Sequence, residues 1–109
     1  MNLSIGRRGE KLAAKFLRKK GYKIVDRNFR TRFGEIDLIV KKKGLLVFVE
    51  VKTVAGDSAG QPEWRINRNK VRRVRKMAEI YLVKKQPAYE NLRIDAVCLV
   101  LGANRQPLR

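Results

Sequence analysis

The chain contains no histidine. That absence removes Ser-His-Asp and Cys-His catalysis, histidine-ligated zinc and histidine-based nucleases. An enzyme built on this sequence works with carboxylates, amines, hydroxyls and a metal that prefers oxygen. Cysteine is almost as scarce: Cys98 stands alone, so no intrachain disulfide forms. It lies in an apolar run, which leads to the expectation of a buried, reduced thiol and a cytoplasmic protein. Long hydrophobic runs are missing too. No segment reaches the roughly 20 apolar residues of a membrane-spanning helix. Met1 to Arg8 lack the apolar core of a signal peptide. Acidic residues are few: 10 Asp and Glu stand against 27 Lys and Arg, a net charge of +17 in 109 residues. A solvated surface accounts for basic residues in general but not for this imbalance. Such an excess marks a polyanionic partner, either nucleic acid or an anionic membrane.

What remains is enough for one domain. Hydrophobic residues make up 44% of the chain, ordinary for a globular core. Leu12, Ala13, Phe16 and Leu17 recur at helical spacing from about Ile5 to Lys20, and Gly21 supplies the stop. Tyr22 to Asn28, Gly34 to Val40 and Leu45 to Thr53 read as strands, with Lys41 to Gly44 as the turn of a hairpin. Gly56, Gly60 and Pro62 break a loop from Val54 to about Ile66. Asn67 is placed to cap a second helix. Val71, Val74, Met77, Ala78, Tyr81 and Leu82 form its apolar stripe, and Pro87 ends it. Leu92 to Leu101 is a last strand, apolar enough to suggest a central place in the sheet. The expected fold is α/β, in the order α-β-β-β-α-β, with a mixed central sheet flanked by helices. Residues 1–102 form the domain and 103–109 a frayed tail.

Two of those strands carry charge where a core-lining strand should not. Asp37 sits inside Ile36-Asp37-Leu38-Ile39-Val40, and Glu50 inside Val47-Phe48-Val49-Glu50-Val51, with Lys52 following. Strand alternation puts Glu50 and Lys52 on one face with Phe48, and Asp37 with Glu35 and Ile39. The hairpin brings Asp37 near Glu50, although facing depends on register. Two carboxylates at roughly 4 Å repel by on the order of 4 kcal/mol at an effective dielectric near 20. A fold tolerates this if one is protonated or a cation intervenes. Mg²⁺, with Mn²⁺ as a substitute, fits an all-oxygen site. Glu10, on the edge of the first helix's apolar stripe, is a further candidate ligand beside Asp37 and Glu50. A bound metal with a neighbouring lysine suits phosphodiester hydrolysis. Ordinary ion pairs on a half-exposed sheet are the competing explanation.

The segments GRRGEKLAAKFLRKKGY, RNFRTRFGEIDLIV, VFVEVKT, NKVRRVRKMAEIYL and RIDAVCLV together resemble the YraN family of small bacterial proteins. The resemblance covers Gly6 to about Val100. It implies a restriction-endonuclease-like core, similar to that of archaeal Holliday-junction resolvases. It also implies that Asp37, Glu50 and Lys52 occupy the catalytic and metal positions of PD-(D/E)xK nucleases. Glu10 then matches the acidic residue on the first helix of resolvase-like members. Resolvases act as homodimers, and the resemblance carries that expectation with it. The family often has a basic residue two positions beyond the motif lysine, where this chain has Val54.

Between Glu63 and Glu79 there is no acid, while Arg65, Arg68, Lys70, Arg72, Arg73, Arg75 and Lys76 all fall there. Part of this run is the solvated face of an amphipathic helix. Seven cations without an acid form no intrahelical ion pairs, so the run points to phosphates. Lys70, near the helix start, is placed to hold one close to the carboxylates. Trp64 would stack on an unpaired base or lie over the core edge. No base-reading motif is visible, so backbone and shape recognition is expected, with DNA as the partner. The sequence therefore supports a metal-dependent nuclease acting on DNA phosphodiesters, including branched or structured forms. Two alternatives stay open: a binding module on a nuclease fold, and a small basic ribosome-associated protein.

Overall fold

Helix α1 (Ile5–Lys19) is the first element of the computed structural model, which describes residues 5–55 and 68–101. Gly21, at φ 96°, ends it. Tyr22 N–H donates to Leu17 C=O and Gly21 N–H to Arg18 C=O, each at 3.0 Å, a Schellman arrangement that a left-handed glycine permits. Gly9, Ala13, Ala14 and Leu17 face the sheet. Phe16, expected in that stripe, is instead 51% exposed with the Lys20 ammonium over its ring. Small residues take the buried face because the helix lies close to the sheet, where an aromatic ring does not fit.

Strands β1 (Lys23–Thr31), β2 (Gly34–Lys42), β3 (Leu45–Ala55) and β4 (Asn91–Leu101) form one sheet in that order. The β1–β2 and β2–β3 pairs are antiparallel, and β4 runs parallel to β3. The β2–β3 hairpin closes through Lys43 and Gly44 at φ 54° and 98°, the positive-φ pair of a two-residue turn. Helix α2 (Arg68–Lys85) makes the crossover to β4, as a parallel connection requires. It stops at Gln86, φ 47°, just before Pro87. This is the expected α-β-β-β-α-β layout, with a mixed sheet between two helices. Trp64, Arg65, Asn67 and the tail 103–109 lie outside the described residues. Among the described residues, no helix is long and apolar enough to cross a membrane.

Each sheet face has its own core. On the α2 side, Phe29, Ile36, Ile39, Leu46 and Phe48 pack against Val74, Met77, Ala78 and Tyr81. Tyr81 meets Phe29 and Phe48 edge-on at 5.0 and 5.7 Å, contacts worth about 0.5–1.5 kcal/mol each beyond their burial. On the α1 side, Leu38, Val40, Val47 and Val49 pack on Ala13, Ala14 and Leu17.

Strand β4 is not central. Among the described strands it lies at the sheet edge, paired with β3 alone. Val97 and Leu99 reach the α1-side core, but Leu92 and Ile94 on the other face are 44% and 42% exposed. They line an open groove of about 490 Å³ beside α2. Cys98 is exposed, not buried. Apolar composition reads as burial on both faces. Here α2 packs over β1 to β3, and among the described residues that face of β4 is left open.

Candidate active site

The site lies where the sheet divides. The β2–β3 pairing runs from Lys42↔Leu45 to Leu38↔Val49 and stops. Beyond that point β2 leaves with β1, which it follows to Thr31↔Gly34. Strand β3 leaves with β4, which it follows to Ala55↔Leu101. Asp37 stands at the fork. Its Oδ2 accepts the Val51 N–H across the gap at 2.6 Å, taking over a donor that β2 no longer pairs.

Side-chain alternation slips at the same place. Ile36 and Ile39 both belong to the α2-side core, while Leu38 and Val40 belong to the α1 side. Glu35, Asp37 and Ile39 therefore do not share a face, as strict alternation required. In β1, Asn28 stands between the Arg27↔Leu38 and Phe29↔Ile36 pairs and adopts φ 50°. Asparagine tolerates this left-handed conformation better than most residues. The two slipped residues oppose each other, and the break lets polar groups gather in an otherwise apolar sheet.

Three carboxylates gather there. One oxygen from each of Glu10, Glu35 and Asp37 lies within 4.8 Å of the other two. Asn28 Nδ2 donates to Glu10 Oε1 at 3.0 Å and leans toward Glu35 Oε1 at 3.5 Å. An amide N–H thus supplies positive character between two anions. Arg30 pairs with Glu35 from the solvent side. Glu50 stands across Asp37 and forms an ion pair with Lys70 at 3.4 Å. Burial pushes the Asp37 carboxyl up to about 6; the Val51 N–H opposes this, and the charges of Glu50, Glu10 and Glu35 add to it.

The donor chemistry fits a hard divalent cation. About 2.1 Å Mg–O bonds in an octahedron set neighbouring oxygens about 2.9 Å apart and opposite ones about 4.2 Å apart. The three oxygens, within 4.8 Å of one another, would draw closer to share one ion. Of the expected ligands, Glu10 and Asp37 meet in this cluster. Glu35 joins them as the third oxygen donor, and Glu50 lies on the Lys70 side.

Glu10 reaches the fork because α1 nearly touches β3. A Cβ on Gly9 would lie 1.7 Å from Thr53 Oγ1 and 2.8 Å from Thr53 Cβ. Thr53 Oγ1 is buried beneath the helix and has no hydrogen-bond partner among the described residues. Lys52 is exposed and makes no ion pair among the described residues. Strand alternation puts it on the side of Glu50 and Phe48.

The basic run of α2 divides by direction. Lys70 and Arg73 line a cleft of about 160 Å³ whose other walls include Glu35 and Glu50. Arg75 borders the groove beside β4. Lys76 lies over the Phe33 ring at 6.0 Å. Arg68 and Arg72 face solvent. Arg65 falls outside the described residues.

Glu35, Asn28 and Gly9 were not singled out as site residues in the sequence. Glu35 was visible only as a companion of Asp37 on an assumed common face. Asn28 belonged to an Arg-Asn pair without an assigned role. Gly9 precedes Glu10 in a Gly-Glu pair that carries the family resemblance, again without an assigned role. Each acquires its role from a contact between elements.

A family model described as "Uncharacterised protein family UPF0102" matches residues 9–99. A UPF0102 protein of Syntrophomonas wolfei is 43% identical over 93% of this chain and 88% of its own length. One from Rhodococcus opacus is 42% identical over 97% and 90%. One from Dictyoglomus thermophilum is 38% identical over 93% and 86%.

Proposed function

The chain belongs to the UPF0102 family, and on that premise we propose that it is a metal-dependent nuclease cutting DNA phosphodiesters, with branched or otherwise structured nucleic acid as its substrate class. The observation that carries the reading is the cluster of Glu10, Glu35 and Asp37 in the sheet fork, beside a cleft walled by Lys70 and Arg73. Carboxylates facing a polyanion repel it unless a cation intervenes. A module made only to bind nucleic acid gains nothing from them.

In this reading Glu10, Glu35 and Asp37 hold Mg²⁺ or Mn²⁺, and Asn28 orients the first two. The metal, when bound, supplies Lewis acidity toward the phosphate and toward water. Asp37 is held by the Val51 N–H, so the cation does not have to order it. Glu50 keeps Lys70 at the mouth of the cleft, where its ammonium and Arg73 orient the backbone. Lys52 positions the attacking water or steadies charge on the phosphate. Its exposure also favours a second reading, in which the nuclease fold binds nucleic acid without turnover.

A panel of branched, single-stranded and duplex substrates with Mg²⁺, Mn²⁺ or chelator separates the two. Asp37→Asn removes a metal-site charge, so cleavage is expected to collapse while metal-free binding holds or strengthens. Lys52→Ala is expected to abolish cleavage with Mn²⁺ affinity near wild type, read by calorimetry. A wild type that binds no metal and cuts nothing in the panel leaves the binding reading in possession.

A further inference from the structure

The carboxylate cluster has a second mouth. On the α1 side of the sheet, Arg7, Glu10, Lys11, Arg27, Asn28 and Leu38 line a cleft of about 130 Å³. Glu10 and Asn28 form its inner wall, and both belong to the cluster around Asp37. The α2-side cleft reaches the same cluster through Glu35. Glu10 in one cleft and Glu35 in the other belong to one cluster, so the proposed metal position adjoins both.

We infer that the α1-side cleft is a phosphate subsite for the cut strand, which takes a backbone phosphodiester on the opposite side of the scissile bond from the one held by Lys70 and Arg73. The inference rests on the nuclease reading and adds a second grip to it. Charge favours it: three cationic side chains surround one acid, Glu10, and a metal on that acid makes the balance more positive still. Size is compatible with it: at about 30 Å³ per water, a cleft of about 130 Å³ has room for a phosphate and one or two waters. Rigidity favours it as well. Arg7 and Lys11 are one helical turn apart, on either side of Gly9, where α1 is pressed onto Thr53. Arg27 comes from β1, next to Asn28. Two rigid elements thus supply the donors, so little side-chain ordering beyond the cations themselves opposes binding.

The test uses a substrate that the wild type cuts, made as a series with a single methylphosphonate replacing each phosphate near the scissile bond. Loss of a charge-assisted contact is expected to cost the wild type about tenfold in kcat/KM at one position on each side of the bond. A Lys11→Gln, Arg27→Gln protein is expected to be insensitive to the methylphosphonate on one side and still sensitive on the other. Arg73→Gln is expected to show the opposite pattern. Lys11→Arg with Arg27→Lys, which keeps both charges, is expected to restore sensitivity, which a purely structural role would not do. If both sensitivities persist in the Lys11, Arg27 variant, or if both variants lose the same one, the subsite is refuted. Should the wild type cut nothing, the nuclease reading fails by itself. The subsite is then decided by metal-free binding: a fall of about two in the log–log salt slope of the Lys11, Arg27 variant supports it, and an unchanged slope overturns it.

Discussion

Asp37 combines a backbone-anchored carboxylate with a proton affinity raised to about 6. Between the ordinary value of 3.8 and that raised value, the folded chain binds more protons than the unfolded one. Stability of the metal-free protein therefore falls as pH rises through this window. A rise of this size corresponds to ~3 kcal/mol at most, and screening on the open side of the fork reduces it to about 1. Thermal melts in chelator are expected to show the decline in wild type and a flatter profile in Asp37→Asn. Mn²⁺ affinity is expected to climb with pH up to about 6 and level off above it, because proton and metal compete for one carboxylate. Affinity independent of pH across that range would remove Asp37 from the ligand set. Gly9 gives an equally sharp test. Helix propensity alone favours Gly9→Ala by about 1 kcal/mol. The contact with Thr53 Cβ cannot be relieved by rotating a side chain, so the helix must move. Overpacking of this kind costs about 1–3 kcal/mol. Net destabilisation is expected, with metal affinity falling further as Glu10 is displaced. A stabilised Gly9→Ala protein would mean that α1 does not press on β3.

At the scale of elements, α2 and β4 show how composition and placement part company. The cations of α2 read in the sequence as one surface, yet Lys70 and Arg73 turn to the fork while Arg72 faces solvent. With about six phosphates neutralised, log affinity for duplex DNA against log salt is expected to have a slope near −5. Arg72→Ala with Arg73→Ala is expected to flatten it by at most about two, and only the Arg73 change should depress cleavage beyond its effect on binding. An unchanged slope would move the contact surface off this helix. Strand β4 presents Cys98 outward from an edge. A thiol reagent is therefore expected to label it in the native state, at a rate unaffected by mild denaturant. Labelling only after unfolding would show that the open face of β4 is covered in solution.

The whole molecule carries a net charge of +17, and most of it must face water. Self-repulsion of that size opposes compactness. The melting temperature of the nucleic-acid-free protein is expected to rise as salt is raised from low ionic strength, because the Debye length shortens to about 8 Å at physiological salt. Bound nucleic acid should reverse the trend, since the complex is weakened by the same salt. Both arms can be followed by scanning fluorimetry. Melting that falls with salt in the free protein would mean that ion pairs, rather than repulsion, dominate its surface.

Element order and the residues worth examining were legible in the chain. Hydrophobic periodicity places both helices within a few residues of their observed bounds. Gly21 and Pro87 stop them for local backbone reasons, and Lys43-Gly44 sets a hairpin for the same kind of reason. Missing histidine and the charged residues within β2 and β3 directed attention to Asp37, Glu50, Lys52 and Glu10. Three things were out of reach because each depends on how elements meet. The first is the edge position of β4, set by where α2 packs. The second is the slip in alternation at Asn28 and Asp37, which strict period-two reading cannot contain. The third is the assembly of Glu10, Asn28, Glu35 and Asp37 from three elements. Periodicity reports which face of an element prefers burial. Only packing decides which elements cover that face, how closely two backbones approach, and which charges are thereby brought within reach of one ion.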